Sequence, residues 1–272
     1  MKKNFADLHI HTNASDGKSN PEEVVRQASE AGLAAISIAD HDSVNGIEGA
    51  LEVSKKYGVE VVPGIELSSE LKETEVHMLG YLIDWHDKQF LDLLHIIQGI
   101  RMWRAGAMVT KLNNLGIDIA FEEVLAEART GSIGRPHIVR VMLKHGYVKT
   151  WDEAFERYLQ IGRPAHVGKY EMSPVEAIQT IRSIGGIPVL AHPVFSNIDD
   201  KLPELIKEGL RGIEVYHIKH DPTVSKHYHK LARKYGLLIT GGSDSHGPEE
   251  PIGSVGVPYE YVERLKAEHK HL

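Results

Sequence analysis

The chain has 272 residues, 42% hydrophobic and 25% charged, with a formal charge of −7 at pH 7; it is long enough for a large buried core and too acidic for a long basic surface on duplex nucleic acid. It contains no cysteine, which excludes disulfides and thiolate metal sites and leaves His, Asp and Glu to hold any cation. No apolar run reaches transmembrane length, and Met1-Lys2-Lys3-Asn4 leads straight into a strand, so a cytoplasmic protein with no membrane partner is expected.

Asp7-Leu8-His9-Ile10-His11 alternates polar and apolar residues. On a strand this puts Asp7, His9 and His11 on one face, with Leu8 and Ile10 toward a core. Two imidazoles so close on a rigid strand can hold one cation, and a nearby carboxylate can orient a ring from behind. Residues 12–17 form a polar turn that carries Asp16. Asn20-Pro21-Glu22-Glu23 then reads as the cap, first-turn proline and acidic opening of a helix that runs to Gly32. A short buried strand over 34–38 delivers Asp40 and His41 at its end. A helix over 45–57 stops at Gly58, and a strand over 59–65 delivers Glu66. A further strand over 75–83 has His77 near its start.

Between about Trp85 and Gly162 the pattern changes to helices with no strand between them. One long amphipathic segment, Phe90 to Leu115, is interrupted by Gly99 and Gly106. Shorter helices follow over 121–129, 135–145 and 151–159. A helical insertion domain over 85–162 is therefore expected within a barrel domain formed by 1–84 and 163–272. Inside the insertion, Gly131-Ser-Ile-Gly134 is a flexible lead into a helix opened by Arg135 and His137, where backbone amides and the helix N-terminus suit an anion. Arg135 is expected to grip phosphate, assisted by Ser132, His137, Arg104 and Lys169.

The strand–helix alternation then resumes. Ser173 to Glu176 is a capping box, a strand over 187–191 is followed by His192, and a strand over 212–216 lies between helices over 201–208 and 223–235. A last strand over 237–240 releases Asp244 and His246 from a Gly- and Ser-rich loop. Repeated units without sheet-edge signals imply a closed or nearly closed parallel barrel, with functional groups at the carboxyl ends of its strands. His227, His229, His269 and His271 fall in polar surroundings and read as solvated.

Nine candidate ligands result, namely His9, His11, Asp16, His41, Glu66, His77, His192, Asp244 and His246, with Asp7 and Asp40 as carboxylates behind them. Nine is too many for one ion. Two or three cations sharing Glu66 or another carboxylate suit the count, and such clusters bind phosphoryl oxygens and acidify water.

Asp-Leu-His-Ile-His (7–11), Ala-Asp-His-Asp (39–42), Gly-Ile-Glu (64–66), Ala-His-Pro (191–193) and Ser-Asp-Ser-His (243–246) resemble, in order and spacing along the whole chain, the motifs of the polymerase-and-histidinol-phosphatase (PHP) superfamily. The resemblance implies an α/β fold, a distorted (β/α)7 barrel with three divalent ions at its carboxyl mouth. Manganese is favoured, with zinc or iron as alternatives. It implies one ion on His9, His11, Glu66 and Asp244, a second on Glu66, His77 and His192, and a third on Asp16, His41 and His246. Asp16 stands where some relatives have His. Asp16, His41, Glu66 and His246 are the implied catalytic set. With its helical insertion, the chain is similar to phosphoesterases that remove the 3'-phosphate of nucleoside 3',5'-bisphosphates, whose relatives trim short 5'-phosphorylated RNA. A small phosphorylated nucleotide or short RNA is the implied partner. Histidinol-phosphate phosphatase is the second reading, since those enzymes share the barrel but not the insertion. A non-catalytic PHP module is disfavoured by the complete ligand set, and C–N bond hydrolysis by Glu66 in the place where amidohydrolase barrels carry a lysine.

Overall fold

The computed structural model describes residues 4–72, 74–129, 131–168 and 172–271. Strands β1 (Phe5–Ile10), β2 (Ala35–Ile38) and β3 (Glu60–Leu71) run parallel. The helices between them are α1 (Pro21–Glu30), opened by the reciprocal Asn20–Glu23 capping box, and α2 (Ile47–Tyr57), closed by Gly58 at φ 62°. β3 then folds back as β4 (Thr74–Tyr81), antiparallel both to β3 and to β5 (Ile187–Leu190). β5, β6 (Gly212–His217) and β7 (Leu238–Gly242) are again parallel, and β8 (Val257–Pro258) joins antiparallel to β1. The sheet order is β7-β6-β5-β4-β3-β2-β1-β8.

The ends of this sheet meet. The His11 amide donates to the Ser245 carbonyl at 3.0 Å. Gly242 lies so tight against β1 that a Cβ there would fall 2.4 Å from the His9 nitrogen, so only glycine lets the barrel close.

The all-parallel expectation fails at β4. Its physical reason lies in β3, which does not stop at Ile65 but continues for six residues to Leu71, pairing Ser68 with His77 on the way. Glu66 consequently sits inside a strand rather than at its end, and the start of β4, not its finish, faces the mouth.

The helical region comprises α3 (Lys88–Asn114), α4 (Phe121–Ala128), α5 (Arg135–Lys144) and α6 (Trp151–Ala154), the last continuing as one π-helical turn over Phe155–Leu159. It has its own apolar core, in which Met108, Leu112, Val124, Ile138, Met142 and Leu159 pack together. α3 is unbroken through Gly99 and Gly106. Its early residues Phe90, Leu94 and Ile97 lie in the barrel's core, so the two cores meet within α3 rather than at Trp85. The barrel's other helices are α7 (Pro174–Ser183), the single turn α8 (Pro193–Ser196), α9 (Leu202–Glu208), α10 (Pro222–Tyr235) and α11 (Glu260–His269). β8, α8 and α11 are additions to the elements read from periodicity. No described helix is long and apolar enough to cross a membrane.

Candidate metal centre

β1 carries a register shift between Asp7 and Ile10, and such bulges re-aim side chains. One result is that Leu8 and Ile10 enter different apolar clusters. Another is that His9 and His11 converge, with their Nε2 atoms 3.2 Å apart. Glu66 Oε2 stands 3.3 Å from each of those nitrogens, and Asp244 Oδ1 stands 3.4 Å from His9 and 3.0 Å from His11. Around the same carboxylate, His41 Nδ1 lies 3.0 Å from Oε2, and His77 Nδ1 and His192 Nε2 each lie 2.9 Å from Oε1. A further group gathers at Asp16, with His246 Nε2 at 3.2 Å and His41 Nε2 and His11 Nδ1 at 3.9 Å. Three sets could therefore each hold a cation: His9, His11, Glu66 and Asp244; His41, Glu66 and His77; and His11, Asp16, His41 and His246.

Four atoms of this cluster, His11 Nδ1, Asp16 Oδ1, His41 Nδ1 and Glu66 Oε2, are buried close to oppositely charged or ligating neighbours yet in no geometry that makes a hydrogen bond. Native interiors rarely leave buried polar atoms unpaired. A divalent cation is the partner that this imidazole and carboxylate donor set fits. Burial works against the charge of Glu66, but His41, His77 and His9 outweigh it and hold the carboxyl well below its usual range. Burial, with His246 beside it, pushes His11 down to about 4, a neutral ring ready to ligate. His192, Asp42 and Asp244 all have positive φ, at 22°, 48° and 52°, backbone strain of the kind that collects at functional sites.

The carboxylates expected to orient rings do something else. Asp7 accepts from the Ser243 hydroxyl and amide at 2.6 and 2.9 Å and from the Gly253 amide at 2.8 Å, and meets only the backbone of His9. Asp40 accepts from Thr12 and Ser15 at 2.6–2.7 Å. Each braces a ligand-bearing loop. The ring partner of His9 is Glu214 on β6, whose Oε1 accepts from Nδ1 at 3.1 Å and whose Oε2 accepts from the His192 amide at 2.8 Å. His217, at the end of β6, donates from Nε2 to Asp244 Oδ2 at 3.1 Å, leaving Oδ1 toward the cluster. The signal that could have found them is a strand that ends in His with an acid three residues before it, a looser form of the signature that marks the other ligands.

In the insertion, Arg101, Arg104 and Arg135 face Asp16, His41 and His77 across a narrow cleft. Arg101 bonds to Asp42 Oδ2 and to the Ser68 hydroxyl, both at 2.7 Å. Arg135 pairs with Glu75 on β4 and lies over the Phe155 ring. Arg104 is buried and donates to the Val167 carbonyl at 2.8 Å; burial, with Arg135 close by, pulls it down to about 10. The other expected phosphate contacts are not brought there. His137 is buried, with Nδ1 accepting from the Gly134 amide at 3.0 Å to cap its own helix. Ser132 is buried, and its amide donates to the Ala14 carbonyl. With the Gly131 amide also committed, to Ala128, little of the expected backbone anion nest is left. Nor is Gly131 there for flexibility: it packs directly against the backbone of residues 13–15. Lys169 lies outside the described residues.

Residues 7–162 match the family described as the PHP domain. The chain is 32% identical to a 5'-3' exoribonuclease of Haemophilus influenzae, over 91% of its own length and 92% of that protein's. It is 30% identical to a 3',5'-nucleoside bisphosphate phosphatase of Chromobacterium violaceum, over 92% and 90%. Among solved structures, a chain from Bifidobacterium adolescentis assigned as a metal-dependent phosphoesterase superposes with a TM-score of 0.89 at 30% identity, over 96% of this chain and 94% of that one.

Proposed function

The chain belongs to the PHP domain family of metal-dependent phosphoesterases, and from that premise we propose that it removes the 3'-phosphate of nucleoside 3',5'-bisphosphates. The observation that carries this reading is the narrow cleft itself, with a cluster able to hold cations on one side and three guanidiniums on the other, Arg101 and Arg135 steadied there by Asp42 and Glu75. A substrate with two phosphates on one ribose fits those two sides. His9, His11, Glu66 and Asp244 would hold one cation, Glu66, His77 and His192 a second, and Asp16, His41 and His246 a third, with His41 also within reach of the second. Divalent cations bound there, manganese first among the candidates, supply charge for the phosphoryl oxygens and acidify water. The chain's own part is positional. Glu214 fixes the tautomer of His9 and His217 turns Asp244, so that donor atoms face the cluster without reorganising. Arg101, Arg104 and Arg135 would hold the phosphate that does not react, aligning the 3'-phosphate with the cluster.

A 5'-phosphorylated RNA offers the same two groups, a terminal phosphate and a phosphorus on O3', so cleavage of the same P–O3' bond would release a 5'-mononucleotide. The similarity to an exoribonuclease at 32% identity favours keeping this as the second reading. The test is to strip the protein with EDTA, restore Mn²⁺, and assay adenosine 3',5'-bisphosphate, histidinol phosphate and a short 5'-phosphorylated RNA in parallel. Metal-dependent release of phosphate with adenosine 5'-monophosphate as product is expected. Preference for histidinol phosphate, or no release from the bisphosphate, would overturn it.

A further inference from the structure

The cleft between the donor cluster and the guanidiniums encloses about 110 Å³. That is room for a phosphoryl group but not for a nucleoside, since pockets for small organic ligands run to roughly 300–1,000 Å³. The rest of the substrate needs another place. A pocket of about 430 Å³ adjoins the cleft across Pro136 and Phe155, which line both. Trp151 and His246 line it as well, so it also touches the donor cluster directly.

Resting on the bisphosphatase reading above, we infer that this pocket receives the nucleobase of the nucleoside whose 3'-phosphate is removed, stacked on Trp151. Trp151 and Phe155 are four residues apart where α6 passes into its π-helical turn, a spacing that puts both rings on one face; π-turns inside helices recur at functional sites. Trp151 is 40% exposed, a large flat apolar surface left beside a polar mouth. The charges on the pocket's rim do not favour a further phosphate. Lys18 is neutralised by Glu249 at 2.8 and 2.9 Å, Arg140 is anchored to the Asp16 carbonyl, and Glu250 adds a carboxylate. A flat, uncharged heterocycle matches those walls. The Pro136–Phe155 ridge between pocket and cleft places the ribose between its base and the phosphate held by the guanidiniums.

The rival platform is Phe195, 57% exposed, with its ring 5.3 Å from His192 and 5.9 Å from His217. Steady-state kinetics of Trp151→Ala, Trp151→Phe and Phe195→Ala decide between them on two substrates, adenosine 3',5'-bisphosphate and methyl riboside 3,5-bisphosphate, which lacks the base. Trp151→Ala is expected to raise KM for the adenosine compound by about 5- to 100-fold, the range of one lost base stack, and to leave KM for the abasic compound as in the wild type. Trp151→Phe should restore most of the affinity. An unchanged KM in Trp151→Ala, an equal rise on both substrates, or a base-dependent rise in Phe195→Ala instead would overturn the assignment. Adenosine 5'-monophosphate binding to the Mn²⁺-loaded protein, read by Trp151 emission in a Trp85→Phe, Trp103→Phe background, separates this inference from its premise. Quenching without bisphosphate hydrolysis would keep the base pocket and remove the bisphosphatase reading. Hydrolysis without quenching would remove the base pocket alone.

Discussion

Glu66 is fully buried and meets five imidazoles through two oxygens, His9, His11 and His41 at Oε2 and His77 and His192 at Oε1. A side chain so placed can serve more than one ion. Glu66→Gln is therefore expected to lower both bound metal and kcat/KM by about two powers of ten or more, measured by elemental analysis beside kinetics; full occupancy with a near-normal rate would end the bridging role. Glu214 touches no expected metal position but fixes His9, so Glu214→Gln should weaken metal affinity about 10- to 100-fold, seen in a metal titration, with most of the rate recovered at saturating Mn²⁺. At Arg135 a lost charge-assisted hydrogen bond is worth roughly 1.5–3 kcal/mol. Arg135→Ala should then cost about one to two powers of ten in kcat/KM on the bisphosphate. p-Nitrophenyl phosphate has no second phosphate to hold and should be nearly unaffected. Equal losses on both would place Arg135 on the scissile phosphate.

The elements show how such residues are delivered. On α3 the buried positions Phe90, Leu94, Ile97, Arg104, Met108 and Leu112 follow one helical stripe, and Arg101 falls on the same line. Two guanidiniums thus interrupt an apolar stripe at the point where the helix passes over the barrel mouth. The loop that opens α5 is held to the Asp16 loop by close backbone contact, and two glycines test this. At Gly131 a Cβ would fall 2.6 Å from the Asn13 carbonyl and 2.8 Å from that of Ser15, neither of which can move aside alone. Gly131→Ala should cost about 1–3 kcal/mol and depress activity through Asp16. Gly99, inside α3, has open space around it, with nothing within 4 Å of where a Cβ would stand. Gly99→Ala should be neutral or stabilising by about 0.5–1 kcal/mol. Thermal unfolding of the pair reads the contrast, and equal midpoints would refute the contact argument.

For the molecule as a whole, the donor cluster is the place where cation binding would couple to stability. Nine side chains from six strands and their loops gather at one mouth, and several buried nitrogens and oxygens there make no hydrogen bond. Anything that binds the folded chain and not the unfolded one stabilises it, by about 2.7 kcal/mol per site at a hundredfold excess over Kd. At roughly 2–4 °C per kcal/mol for a chain of this size, saturating Mn²⁺ should raise the unfolding midpoint of the EDTA-treated protein by about 5–10 °C for each site filled. A midpoint indifferent to metal would mean that the cluster is not a cation site.

The local pattern of the chain was enough to announce a β/α barrel, a helical interruption and the nine candidate donors, because strand periodicity and the placement of His, Asp and Glu where strands meet the mouth are written within a few residues. Partnership is not local. Asp7 stands two residues from His9 and reads as its support, yet the carboxylate on the His9 ring is Glu214, 205 residues away. β6 reaches β1's mouth only because β4 turns antiparallel and the sheet curls until Gly242 meets His9. The same holds for the guanidiniums: Gly131-Ser-Ile-Gly134 announces an anion-binding lead, but the amides of Gly131, Ser132 and Gly134 are spent on Ala128, Ala14 and His137, and Arg101 on another helix joins the cleft instead. Sequence spacing fixes which face a side chain shares with its neighbours. Which side chain waits across the gap is fixed by how distant strands and helices pack, and that was decided only by the tertiary structure.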